Sequence, residues 1–279
     1  MKRAGWTLHE LLISMGVFAG VVGITSHLAA GQLRFFRGIG EATAVRSQVG
    51  QATTIAAGML WGVSPGGGDI IVAQDSAIEL HLPMGSALTC GGVPGRLTIP
   101  VAAATSGNAL SAFSEQPEAG DRVLAFFDDS LGATWLALRL SSAPIPGASC
   151  AHFPSVTSAW TLESLEQVTV PAGASLRFTR PFRLSLYRAS DGRWYLGGKD
   201  WNGAADRFNS IQPVAGPLKP YSPDPAQTGL RLLYRDLDGD ELTSPVDSHR
   251  IASVTVIARG GAGQFEDSSV TVVALRNAR

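Results

Sequence analysis

Four groups of side chains in this chain have types and spacings that could do chemistry. Asp236, Asp238, Asp240 and Asp247 occupy the first, third, fifth and twelfth places of one stretch, the spacing of carboxylates around a calcium ion. A calcium loop of that kind wants glycine at its sixth place and a bidentate glutamate at its twelfth. This chain has Glu241 and Asp247 there, so the same residues also describe a hairpin turn with solvated acids, and calcium is at most a candidate cofactor. Gly62-Val63-Ser64-Pro65-Gly66 spells the nucleophile-elbow string of hydrolases, with His81, His152 and His249 as possible bases. An elbow needs a strand before its serine and a helix after it, whereas here a helical pattern runs into a Pro-Gly turn. Phosphate loops, dinucleotide fingerprints and metal-ligand strings are missing from the sequence, and no enzymatic activity is expected from it. Cys90 and Cys150 are the two cysteines, too few for a four-thiolate zinc site and enough for one bridge. The last group centres on Glu10, a carboxylate at the head of Leu11 to Ile24, a run with no ionisable side chain. A charge entering hydrocarbon costs about 2.5 to 3.5 kcal/mol on insertion scales, so Glu10 needs a partner if it stays ionised.

The elements that must position these groups fall into two patterns. Trp6 to Ala30 is 25 residues, which as a helix extend about 37 Å and exceed a hydrocarbon core of about 30 Å. This segment can cross a membrane once. Lys2 and Arg3 favour a cytoplasmic N-terminus, although Arg34 and Arg37 beyond the far end reduce the asymmetry. Past Gly31, apolar residues recur at helical steps through Phe35, Ile39, Ala42, Val45, Val49, Ala52, Ile55, Met59 and Leu60. Arg34, Arg37, Glu41, Arg46, Gln48 and Gln51 take the opposite face, so the helix continues as an amphipathic one whose stripe packs on a head. Gly38, Gly40, Gly50 and Gly58 in its interior point to curvature or close packing, and Pro65-Gly66-Gly67-Gly68 must end it.

From there the pattern becomes short β-branched and aromatic runs: Ile70 to Ala73, Ile78 to Leu82, Leu97 to Val101, Arg122 to Phe127 and Thr134 to Leu140. Further runs lie at Ser175 to Thr179, Phe182 to Tyr187, Arg193 to Leu196, Leu230 to Tyr234, Ile251 to Ala258 and Val270 to Leu275, with Asp191-Gly192 as a hairpin signal. The expected fold is α+β: one long N-terminal helix, membrane-spanning and then amphipathic, packed on a mostly antiparallel sheet. Ser142 to Phe153, rich in Pro, Ala, Gly and Ser, is the best seam if the head has two lobes. Composition agrees with a folded, turn-rich chain: 45% apolar, 16% charged, with 32 glycines and 16 prolines among 279 residues. A formal charge of −1 excludes bulk electrostatic capture of nucleic acid, and none is expected as a partner.

Lys2-Arg3-Ala4-Gly5-Trp6-Thr7-Leu8-His9-Glu10 joins a short basic leader, a glycine, an aromatic and one glutamate ahead of the apolar run. It resembles the type III signal of type IV prepilins and type II secretion pseudopilins, with Trp6 where phenylalanine is commoner and His9 where an aliphatic residue is usual. The resemblance implies residues 1–5 as leader, 6–30 as the transmembrane half of the helix, 31–62 as its amphipathic half and 63–279 as an extracytoplasmic head with a pilin-like fold. A prepilin peptidase would cut between Gly5 and Trp6, and Trp6 would be N-methylated. A residue without a side chain at Gly5 lets a peptidase's carboxylates approach the scissile carbonyl. Glu10 would then pair with the new amine of a neighbouring subunit during assembly. The implied location is the bacterial inner membrane as a single-pass protein, head in the periplasm or outside, and then a type IV pilus or secretion pseudopilus. Other pilins or pseudopilins and inner-membrane assembly proteins would be its partners. Outside the cytoplasm a Cys90–Cys150 bridge is favoured.

A weaker resemblance covers the C-terminal third. Ser210-Ile211-Gln212-Pro213-Val214-Ala215-Gly216-Pro217-Leu218 and Tyr234-Arg235-Asp236-Leu237-Asp238-Gly239 look like PilW-like minor pilins, in which the second string closes a hairpin. Two alternatives stay open: a filament-tip module that binds a surface, DNA or another ligand, for which Trp194 to Trp201 would suit an exposed loop, and a monomeric signal-anchored protein.

Overall fold

A computed structural model describes residues 7–101, 110–129, 132–153, 156, 158–243 and 246–276. Helix α1 runs unbroken from Leu8 to Leu60, 53 residues or about 80 Å at 1.5 Å each. Every residue from Thr7 to Arg37 is exposed, and burial begins only where the helix meets the head, at Val45, Val49, Ala52, Thr53, Ala56 and Leu60. Phe35 and Ile39, expected on the packed stripe, stand clear of the head at 65% and 48% exposure.

Sixteen strands follow among the described residues: β1 (Ile70–Ala73), β2 (Ala77–Leu88), β3 (Gly91–Val93), β4 (Arg96–Pro100), β5 (Ser111–Phe113), β6 (Arg122–Asp129), β7 (Gly132–Arg139) and β8 (Ile145–Ala148), then β9 (Ala159–Glu163), β10 (Ser175–Arg188), β11 (Trp194–Asn202), β12 (Arg207–Phe208), β13 (Gln212–Leu218), β14 (Leu230–Arg235), β15 (Ser253–Ala262) and β16 (Phe265–Ala274). Every pairing between them is antiparallel. The fold is α+β, with 43% of the residues in strands.

Two long strands, β2 and β10, pair along their length and run through two apolar cores. Their lower halves, with Ile78, Leu80 and Leu184, face the helix stripe together with β14–β15–β16, which lies on α1. Their upper halves, with Met84, Ala87, Leu176 and Phe178, share a second core with the four-stranded sheet β3–β4–β9–β8. The outer partner of β10 changes from β6, paired through Thr179, to β11, paired from Phe182. Pro181, which divides the run into two by sequence, falls in that gap, where a missing N–H is least costly.

Close approach of helix and sheet comes from a strand glycine rather than from the helix glycines. A Cβ on Gly260 of β15 would meet Val49 at 2.9 Å and Val45 at 3.3 Å. Of the helix glycines past residue 31, only Gly38 sits against the head, beneath the Phe265 ring; Gly40, Gly50 and Gly58 face open space. Gly192, at φ +80°, makes the β10–β11 turn, with the Ala189 amide donating to Arg193 and that of Gly192 to Ala189. Cys90, entering β3, and Cys150, leaving β8, are joined as a disulfide with Cα atoms 5.2 Å apart. These are the edge strands of the four-stranded sheet, and a cross-link closing a loop of this length contributes about 4 kcal/mol in the chain-entropy model.

Candidate functional site

Gly5 and Trp6 lie outside the described residues, which begin at Thr7. Thr7 is the N-cap of α1, and with Glu10 it forms a reciprocal capping box. The Thr7 backbone amide and hydroxyl both donate to Glu10 Oε2 at 3.0 Å, while the Glu10 amide donates to Thr7 Oγ1 at 3.4 Å. Glu10 therefore has a local role that the sequence reading did not include, in fixing the first turn. Farther along, Ser14 donates to the Leu11 carbonyl, and Thr25 donates to those of Val21 and Val22. These hydroxyls are satisfied inside the helix, as an apolar solvent requires. One helix among the described residues is long and apolar enough to cross a membrane, and it is this one, with mean hydropathy 1.8 over its best window.

At the other end of α1 lies a polar cluster that the sequence reading missed. The helix carries no basic residue in its last turn to meet its free carbonyls. The Trp61 and Val63 amides close the carbonyls of Ala57 and Leu60, and arginines from the sheet bind the carbonyls of the turn that follows the helix. Arg177 of β10 donates through Nη2 to the Gly62 carbonyl and to Asp69 Oδ2, both at 2.7 Å. Arg122 of β6 donates to the carbonyls of Gly68 and Gly67, each at 3.0 Å, and lies 3.9 Å from Asp69 Oδ1. Asp69 is fully buried, and its Oδ2 also accepts the Ser64 amide at 2.7 Å. Pro65–Gly67 form a single 3-10 turn held inside this ring of charges.

His81 of β2 belongs to the same cluster, its amide donating to the Asp69 carbonyl at 2.7 Å. Burial above all, then the guanidinium of Arg122, pushes its ring down from an ordinary 6.5 to about 4; Asp69 opposes and Arg177 adds to the shift. Nδ1 is buried and has no hydrogen-bond partner. An unfolded chain takes up this proton near pH 6.5 and the folded one only near 4, so stability falls as pH drops through that window. The loss attributable to His81 is about 2 to 3 kcal/mol between pH 7 and 4. Urea unfolding of the head at pH 7 and 4.5 should show a smaller acid loss in His81→Gln than in the parent; equal losses would remove His81 from the account.

The remaining candidates are placed as follows. Asp236 Oδ1 accepts the amides of Asp238 and Asp240 at 3.1 and 3.0 Å, and its Oδ2 pairs with Arg250 at 2.8 Å. Asp247 accepts the His249 amide at 3.1 Å. Tyr234 to Glu241 turns back on itself through Gly239, φ +88°, and no three His, Cys, Asp or Glu side chains converge on one point among the described residues. Ser64 is buried and hydrogen-bonds through its amide to Asp69; no described hydrogen bond links its hydroxyl to His81. Trp194 to Trp201, whose aromatics fit an exposed binding loop or a buried sheet equally well by sequence, is strand β11 between β10 and β13, with Leu196, Gly197 and Gly198 buried and Trp201 against Phe208 at 5.1 Å. Among the described residues, the tryptophans that stand exposed are Trp61 and Trp135, each at 62%.

A long apolar-then-buried helix with a two-core antiparallel head is thus the class of molecule defined here. Comparison of the chain with protein-family models, curated proteins and solved structures returned no match.

Proposed function

We propose that this chain is a minor pilin or pseudopilin, cut by a prepilin peptidase between Gly5 and Trp6 and methylated at Trp6. It is held in the bacterial inner membrane by the first half of α1, with its head outside the cytoplasm, and assembles with related subunits into a type IV pilus or a type II secretion pseudopilus. One observation carries this reading. α1 leaves Leu8 to Arg37 wholly uncovered while its distal half is built into the head, so the uncovered half needs lipid or other helices around it. In a membrane the requirement is met by lipid; in a filament it is met by the same segments of neighbouring subunits. The resemblance of Lys2 to Glu10 to a type III signal supports the same reading.

The test is the mature N-terminus. Mass spectrometry of protein from the native envelope is expected to find a chain beginning at methylated Trp6, and Gly5→Val is expected to leave the precursor whole, five residues longer and still carrying Lys2 and Arg3. Parent protein that still begins at Met1 in a peptidase-competent cell would overturn the reading and leave a signal-anchored protein.

A further inference from the structure

Beside the helix end, at the pole of α1 opposite Glu10, lies a cleft of about 540 Å³, within the usual range for small-ligand sites. Arg122, Arg177 and Arg276 line it together with Trp135 and the backbone of Gly66 and Gly67. The cluster is out of charge balance. Three guanidinium groups line it, and the one carboxylate paired with any of them among the described residues is Asp69, fully buried beside Arg122 and Arg177, with Oδ2 already holding Arg177 and the Ser64 amide. Arg122 and Arg177 are only 22% and 24% exposed, so their excess charge is poorly solvated. Burial and the neighbouring Arg177 lower the proton affinity of Arg122, with Asp69 acting against them. Arg276 has no carboxylate partner among the described residues; its guanidinium lies 5.5 Å from the Trp61 ring centre. Trp135 packs against Phe126 at 4.8 Å and yet remains 62% exposed, a large aromatic surface left in water.

We propose that this cleft binds an acidic sugar, with a uronate-type carboxylate seated on the arginines and the apolar face of its ring laid on Trp135. Guanidinium forks suit a planar carboxylate, and an aromatic face suits the C–H side of a pyranose. A net excess of two positive charges at the cleft matches one or two carboxylates rather than a run of phosphates. β6 and β10 beneath the cleft are paired on both sides, while β7, which carries Trp135, pairs with β6 alone, so a peptide added at that edge is the rival that tetraglutamate tests. The inference is independent of how the N-terminus is processed.

The test is calorimetric titration of the full chain in detergent with trigalacturonate, and with maltotriose, inorganic phosphate and tetraglutamate as comparisons. Saturable binding of trigalacturonate alone is expected, weakened about tenfold or more by Arg276→Gln and by Trp135→Ala, and less by Arg276→Lys. Both variants change exposed side chains, and unaltered melting of each is the check that the fold persists. No binding of trigalacturonate, equal binding of maltotriose, phosphate or tetraglutamate, or unchanged affinity in both folded variants would each overturn the proposal.

Discussion

Asp69→Ala is expected to destabilise the head by about 3 to 5 kcal/mol, the cost of removing one partner from a buried charge group. The carboxylate is fully buried and holds three things at once: Arg177 at 2.7 Å, the Ser64 amide at 2.7 Å and, more loosely, Arg122 at 3.9 Å. Its loss leaves two guanidinium groups facing each other without a counter-charge. These are the groups that hold the Gly62 carbonyl just past α1 and the Gly67 and Gly68 carbonyls of the following turn, so the change also frees the junction between helix and sheet. Asp69→Asn keeps an acceptor for Ser64 but not the charge, and should fall between. Combining Asp69→Ala with Arg177→Met should recover part of the loss, because the second change removes a charge that the first has stranded. Urea midpoints read by near-ultraviolet circular dichroism give the comparison. A loss below about 1 kcal/mol for Asp69→Ala would mean that water or movement of the arginines replaces the carboxylate.

Asp69 and Arg177 also mark where reading from sequence stops. They stand 108 residues apart, and nothing local in either stretch announces the other. Helix α1 was legible because apolarity and period act along contiguous residues, and β1, β4, β6, β7 and β14 were legible for the same reason, whereas β16 was read only in its second half. Pro181 misled, since its effect depends on which strand flanks β10 at that point, a property of the sheet rather than of the run. Short β3, β5, β8 and β12, and the proline-bearing β13, gain their order from long neighbours and carry little pattern of their own. At the packed stripe the period correctly marked the face, but not where the head begins to cover it: Phe35 and Ile39 continue the pattern and stay exposed. An apolar helix face reads the same whether it meets a sheet, lipid or another subunit.

Glu10 separates those cases. The capping box gives it a role within one chain, and the proposed charge pair with a neighbour's amine gives it a role between chains. A substitution exists that divides the two. Glutamine at the third helical position can still accept from the Thr7 amide and hydroxyl, so Glu10→Gln retains the cap while removing the charge. Glu10→Val removes both and loses about 1 kcal/mol of capping at a helix terminus. Membrane insertion should be unchanged or slightly better in either variant, because an ionised carboxylate in hydrocarbon is costly. In a filament, each change leaves the Trp6 amine of a neighbouring subunit without its counter-charge in a low-dielectric environment, the expensive way to break a buried pair. Both variants are therefore expected to be processed at Gly5, to reside in the membrane, and to be missing from sheared filaments, with weak recovery of other subunits on pulldown. Assembly retained by Glu10→Gln but lost by Glu10→Val would assign Glu10 to the helix cap instead of the charge pair. Assembly retained by both would favour a monomeric anchor, for which neither the cap nor the charge is needed.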